Sequence, residues 1–202
     1  MRLYYAPQTR SMRARWILEE IGAPYELVRV DLSAGEQRRP EYLEVNPCGR
    51  VPALVDGGVT LFESAAICQY LADKFPEHRL APPVGTAARD LYYQWIHFAM
   101  SGLEPPALAI ILHTMSKPEA ERIPVVADEG RLQLSAALAV VDGALGGRTF
   151  MLGDEFTAAD VMIGSTLMWA KLVGEIGAEL RATTAYLARL ALRPACQRSV
   201  AD

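Results

Sequence analysis

Three short stretches of the chain carry residue types that can bind a charged ligand or polarise a reactive group. Glu63-Ser64 stands where a helical pattern begins. A hydroxyl there, beside unpaired backbone N–H groups and the positive end of the helix dipole, suits a ligand carboxylate. Glu63 suits an ammonium group, so the pair fits a zwitterionic head. The same serine would also cap its own helix, which is worth ~0.5–2 kcal/mol. The loop Gln8-Thr9-Arg10-Ser11 gathers two hydroxyls and a cation just before another helical pattern. In the plainer reading of this loop, Ser11 is the N-cap and Arg10 is solvated. In the third stretch, Arg50 precedes Val51-Pro52 and can meet a carboxylate or a backbone group, or simply stay exposed. The three cysteines, Cys48, Cys68 and Cys196, are far apart and form no CxxC. That excludes a disulfide framework, a thiolate zinc site and a redox dithiol. Cys48 and Cys68 are expected to pack as small apolar residues.

These stretches must be positioned by the elements around them. Arg2 to Tyr5 is a β-type run stopped by Pro7, whose ring suits a loop. Met12, Trp16, Ile17 and Ile21 then recur at helical spacing, and Gly22 followed by Pro24 marks a stop. Tyr25 to Asp31 alternates like a strand, and a short helix is expected around Pro40 to Glu44. Ala53–Val55 and Val59–Leu61 flank Asp56-Gly57-Gly58, a strong hairpin signal. Ala65, Ala66, Ile67, Tyr70 and Leu71 form an apolar stripe on a helix ending near Phe75-Pro76. The order β-α-β-(α)-β-β-α is that of a thioredoxin-like domain over residues 1–78. A proline-rich linker (79–86) follows, then a helical domain over 87–202, with helices near 87–103, 128–145, 158–171, 182–191 and 193–199. Thr157 and Asp160 have the spacing of a capping box, a structural role.

Composition narrows the function further. Hydrophobic residues make up 51% and charged residues 22% of the 202, which excludes a disordered chain. A net charge of −4 argues against a protein that binds nucleic acid by neutralising phosphates. The apolar runs are shorter than a bilayer span, and the opening MRLYYAPQTR lacks the apolar core of a signal segment. The expectation is a soluble, reduced, cytoplasmic protein with neither nucleic acid nor membrane as partner, and no metal.

Four motifs then point one way. NPCGRVPAL (Asn46 to Leu54) resembles the glutathione transferase signature in which a Val-Pro bond is cis. FESAAICQYL (Phe62 to Leu71) resembles the Glu-Ser helix start that grips the γ-glutamyl group of glutathione. LYYAPQTRSMRARWILEEIGAPYELVRVD (Leu3 to Asp31) is similar to the family's first strand, helix and second strand, and is nearest the bacterial members. FTAADVMIG (Phe156 to Gly164) resembles the capped, buried helix of the family's C-terminal domain. The first two motifs together are specific, whereas either alone would be weak.

The resemblance implies an α/β thioredoxin-like domain followed by an all-α bundle. It also implies a homodimer that binds glutathione as co-substrate, stabilises its thiolate, and conjugates it to a hydrophobic electrophile in detoxification. Without it, a trans Val51-Pro52 bond would be favoured, since cis is a ~5–6% event. A cis bond would let Val51 pair in strand fashion with the cysteinyl backbone of the peptide. Glu63 and Ser64 would hold the γ-glutamyl head, and Arg50 the glycyl carboxylate. The loop after the first strand carries the activating Tyr, Ser or Cys in such enzymes. Here Arg10 stands at the cysteine position of the bacterial cysteine-type pattern, leaving Ser11 or Thr9 as hydroxyl donor, with Arg10 adding positive field. Tyr93, His97, Met100 and Glu104 recur at helical spacing as one wall of an electrophile pocket, or as core and interface. Rival readings are a glutathione-dependent disulfide reductase or peroxidase, and a non-catalytic interaction protein that keeps the fold. A maleylacetoacetate-type isomerase would need a serine-serine-cysteine loop that is absent.

Overall fold

The computed structural model describes residues 1–201. They fall into two compact units, Met1–Ala81 together with the residues from Leu192 onward, and Pro82–Ala191.

The first unit is thioredoxin-like. Strand β1 (Arg2–Tyr5) leads into helix α1 (Ser11–Ile21) and then β2 (Glu26–Arg29). A short α2 (Pro40–Leu43) precedes the hairpin β3 (Ala53–Asp56) and β4 (Val59–Phe62), and α3 (Ser64–Lys74) closes the unit. The sheet order is β2-β1-β3-β4, with β1 parallel to β2 and the other neighbours antiparallel. Leu3 pairs with Leu27 on one side and Leu54 on the other, which puts the central strand in the core. There Leu3, Trp16, Ile17, Leu18, Leu54, Ile67 and Leu71 are almost completely buried. Helix α1 stops where expected. Gly22 takes a left-handed φ of 68° and returns its N–H to the Leu18 carbonyl at 2.9 Å. The hairpin turn is Gly57-Gly58, since Asp56 already pairs with Val59. Tyr70 and Lys74 of α3 both reach the Asp56 carboxylate, fastening the helix to β3.

The second unit is helical: α4 (Ala87–Phe98), α5 (Glu104–Ile111), α6 (Pro124–Leu145), α7 (Ala158–Leu172) and α8 (Arg181–Ala191). Its centre is α7, buried along nearly its whole length from Ala158 to Leu167. The expected capping box is formed: Asp160 accepts the Thr157 N–H at 2.8 Å, and the Thr157 hydroxyl answers it. Asp160 also accepts the Met151 N–H and the Tyr186 hydroxyl, both at 2.8 Å. Burial pushes its carboxyl above the ordinary value, against the pull of those four donors.

Three boundaries differ from the sequence reading. The helix expected over 87–103 continues to Ser116, through π-helical turns at Ala99–Leu103 and Leu112–Ser116. The wider first turn lets the helix pass Pro105-Pro106, whose rings and missing N–H groups would break a regular α-helix. The resulting 30-residue helix is long and apolar enough to cross a membrane by length and composition alone, although its uninterrupted apolar runs are short. In the fold, 44% of its most apolar window is buried. Helix α6 starts at Pro124, four residues before the expected 128, because proline is well placed in a first turn.

The third difference is α9 (Pro194–Val200), which the sequence grouped with the helical domain. It packs on α1 of the first unit. Arg193 grips Glu20 with two bonds of 2.6 and 2.7 Å, and Arg198 meets Glu19 at 2.6 Å. The expected linker is likewise divided, with Leu80 buried in the first unit and Pro82 belonging to the second.

Asp160→Ala strands several buried donors at once, each costing ~1–3 kcal/mol. The expected outcome is a fall in thermal midpoint several times that of Tyr186→Phe, which removes one donor, as read by calorimetric melting.

Candidate functional site

Three turns of the first unit carry the predicted residues: the β1–α1 loop, the turn before β3, and the start of α3. The turn before β3 is held from α2. The Tyr42 hydroxyl and the Asn46 side-chain N–H both donate to the Arg50 carbonyl, each at 2.6 Å. Asn46 also accepts the Cys48 N–H at 3.0 Å. Gly49 sits between them at φ 59°, where an added Cβ would lie 3.0 Å from the Gln37 carbonyl. Only glycine fits that turn without strain. Burial pushes the Tyr42 phenol up to about 12, so it stays a donor at any working pH. The Val51-Pro52 bond is cis, as the resemblance implied. Pro52 is buried, Val51 half-buried, and the Arg50 side chain points into solvent while its backbone is anchored.

Helix α3 begins just beyond the hairpin. Glu63 is its N-cap residue, exposed, at φ 73° and ψ 113°, a region that a glutamate seldom enters. No side chain caps this end. Ser64 is therefore not a cap, which disposes of the plainer reading of that residue. It is 2% exposed, and its Oγ accepts a hydrogen bond at 3.3 Å from Nη1 of Arg13, itself 1% exposed on α1. Among the described residues the Ser64 hydroxyl donates to no acceptor.

The β1–α1 loop is a tight knot of hydroxyls. Ser11 is 1% exposed; its Oγ accepts the Ala6 N–H at 3.3 Å and lies 2.9 Å from the Thr9 Oγ1. Thr9, half-buried, also reaches the Ala6 carbonyl at 2.7 Å and accepts the Ser11 N–H at 3.2 Å. A hydroxyl has one proton to give. With Thr9 donating to Ala6, the Ser11 proton turns to Thr9. The N-cap of α1 is Arg10, half-buried, not Ser11.

The remaining candidates belong to the second unit. Tyr93 and His97 on α4 are exposed, Met100 is half-buried in the π-helical turn, and Glu104 is buried at the start of α5. They do not form one uniform face. A π turn holds more residues than the 3.6 that the spacing assumed, so the stripe loses phase at Met100. Among the described residues, no group of His, Cys, Asp or Glu is arranged to hold a metal ion. Cys68 is fully buried, and desolvation raises its thiol to about 12 despite the pull of Arg13. Cys196 is raised to about 11, again by burial first. Cys48 is exposed on the turn before β3, contrary to the expectation that it packs inside.

Sequence reading missed Arg13, Tyr42 and Asn46. Arg13 had a usable signal: it stands three and four residues before Trp16 and Ile17, on the face those residues bury. Asn46 stood in the NPCGRVPAL motif without a role of its own, and Tyr42 had no signal, because the partner of both is a backbone carbonyl.

Comparison with known proteins agrees with this geometry. The family pattern described as "Glutathione S-transferase, N-terminal domain" matches residues 1–73, and "Glutathione S-transferase, C-terminal domain" matches 124–193. The glutathione S-transferase GstA of Escherichia coli O157:H7 is 35% identical over 98% of this chain and 96% of its own. A glutathione transferase family member from Pseudomonas fluorescens, solved with two glutathione bound, superposes with a TM-score of 0.89 at 30% identity. That superposition covers 98% of this chain and 91% of the other. The disulfide-bond oxidoreductase YfcG of Escherichia coli is 31% identical over 79% of this chain and 75% of its own. The chain belongs to the glutathione S-transferase family, a family of transferases.

Because the two buried thiols are held protonated and none of the three lies in the β1–α1 loop, no cysteine is expected to take part in turnover. A Cys48→Ser, Cys68→Ala, Cys196→Ala variant should keep most of its glutathione-dependent activity. Intact glutathione binding with turnover abolished would contradict this.

Proposed function

We propose that this protein binds glutathione across the three turns and transfers its thiolate to a hydrophobic electrophile. The observation that carries the reading is the start of α3. An uncapped helix N-terminus, an unspent buried hydroxyl and an exposed carboxylate stand within two residues of one another. The N–H groups and the Ser64 hydroxyl supply donors for the α-carboxylate of the γ-glutamyl group, and Glu63 supplies an acceptor for its ammonium. Val51, fixed by the anchored Arg50 carbonyl, pairs with the cysteinyl backbone. The Arg50 side chain is left to the glycyl end. Calorimetry should show one glutathione site per chain and much weaker binding of cysteinylglycine, which lacks the head group. Equal affinity for the two would overturn the reading.

Activation of the thiol falls to the hydroxyl knot. Thr9 is the more exposed member, so its proton turns from the Ala6 carbonyl to the sulfur while Ser11 donates to Thr9 from behind. Arg10 contributes positive field at the same helix start. A hydrogen bond to a charged group is worth ~1.5–3 kcal/mol, and one pKa unit corresponds to ~1.4. Thr9→Val should therefore raise the thiol pKa of bound glutathione by about one to two units. Ser11→Ala should raise it less, and binding should hardly change in either variant. The check is a spectroscopic thiolate titration of the complexes. An unchanged pKa in Thr9→Val, Ser11→Ala and Arg10→Ala would move activation out of this loop.

A second reading, glutathione-dependent disulfide reduction, is favoured by the relative named a disulfide-bond oxidoreductase and by a loop of hydroxyls without a thiol. Parallel rates on aryl halides, peroxides and mixed disulfides separate the two. His97, Met100 and Glu104 stay our candidates for the electrophile side. A cytoplasmic homodimer completes the proposal. Three unbridged cysteines support the reduced compartment, and exposed Val59 and Phe62 on the edge strand β4 support a partner copy.

A further inference from the structure

The sheet of the first unit has a second face, turned away from the Leu3 core. Tyr4 lies opposite Val28 in the parallel pairing of β1 and β2, next to the Leu3–Leu27 pair. Strand alternation therefore sends Tyr4 and Val28 to the side that Leu3 leaves. Val30, two residues further on, continues that side and is buried. Tyr42 of α2 covers part of it, its ring edge-on to Tyr4 with centroids 5.7 Å apart and planes at 70°. The Tyr42 hydroxyl is spent on the Arg50 carbonyl, so only its ring serves this face. These four side chains line a cleft of about 390 Å³. That volume lies inside the roughly 300–1,000 Å³ of small-molecule sites. Neither the β1–α1 loop, the Val51-Pro52 bond nor the start of α3 contributes to its lining.

The rest of the lining is charged: Arg29, Glu36, Arg39 and Glu41. Two cations and two carboxylates cancel, so the cleft has no excess field for a phosphate or another multiply charged anion. Hydrogen-bonding capacity is less even. Both oxygens of Glu36 are engaged, one by Nη1 of Arg39 at 3.0 Å and the other by the Asp31 N–H at 2.8 Å. A guanidinium has five N–H donors, of which Arg39 spends one on Glu36. Among the described residues Arg29 makes no hydrogen bond or ion pair, although its field reaches the Asp31 carboxylate. Unspent guanidinium donors thus edge an apolar floor of two tyrosine rings and two valines. We propose that this cleft is a second small-molecule site, separate from the three turns, which takes a flat aromatic monocarboxylate. The aromatic ring packs on Tyr4, Tyr42 and Val28, and the carboxylate meets Arg29 and Arg39, whose fork geometry matches it.

The test titrates the whole protein with 2-naphthoate and with 2-naphthamide, which has the same shape without the charge. Amide-resolved NMR should place the naphthoate shifts at Tyr4, Val28 and Val30. The naphthamide should bind about tenfold more weakly, as expected for the loss of a charge-assisted contact. Saturating S-hexylglutathione should leave bound naphthoate in place. Replacing both exposed arginines, Arg29→Gln with Arg39→Gln, should remove the tenfold difference and leave the naphthamide affinity unchanged. A merely structural role for the two arginines would weaken both probes together. Val28→Phe fills the floor and should weaken both probes by about tenfold or more, with glutathione affinity unaltered. Should that variant fail to fold, the arginine pair carries the same comparison. Tyr42 is left in place in every variant, because it also holds the turn before β3. Displacement of naphthoate by S-hexylglutathione overturns the inference, since the probe would then occupy the three turns or the electrophile side. Equal affinity for the two probes in wild type, or no binding of naphthoate at millimolar concentration, overturns it as well.

Discussion

The start of α3 is the point on which the reading of the first unit turns. Backbone N–H groups converge there without a side-chain cap, and the buried guanidinium of Arg13 reaches the same point from α1. Helix ends normally satisfy such groups with a serine, threonine or aspartate of their own. Here the available serine is turned inward to Arg13, and the N-cap residue Glu63 adopts a backbone conformation that holds its carboxylate outside the helix.

The surrounding turns are rigid for a related reason: their backbone groups are held by side chains. Tyr42 and Asn46 fix the carbonyl before the Val51-Pro52 bond, and Thr9 with Ser11 fixes both polar groups of Ala6. Such bonds cost the loop its freedom before any ligand arrives, so less ordering entropy is lost on binding. The thiol chemistry proposed for Thr9 depends on this arrangement, because a hydroxyl already polarised by a second hydroxyl is the stronger donor.

The helical unit solves a different problem, that of burying polar groups in an apolar bundle. Asp160 collects donors from the loop residue Met151, from Thr157 and from Tyr186 on α8, which ties the capped end of α7 to its neighbours. The long helix that opens the unit passes two adjacent prolines by widening its turn. The widened turn carries Met100 and leads directly into Glu104, so these side chains do not share the one face that a regular helix would give them.

Much of this was legible in the residues themselves. The strand and helix order, the glycine stop after α1, the hairpin and the capping box all follow from short-range rules of period, turn geometry and capping, which a sequence carries locally. The turn before β3 and the Glu-Ser helix start were legible too, through motif resemblance. What the sequence did not contain was any long-range pairing. That Arg13 meets Ser64, that α9 returns to α1 through Arg193 and Arg198, and that Ser11 is closed off by Thr9 are consequences of chain segments meeting in space. A charged or hydroxylated residue reads the same in a sequence whether it is solvated or buried. Only the tertiary structure decides which, because burial and a partner's direction belong to the packing of elements and not to the order of residues.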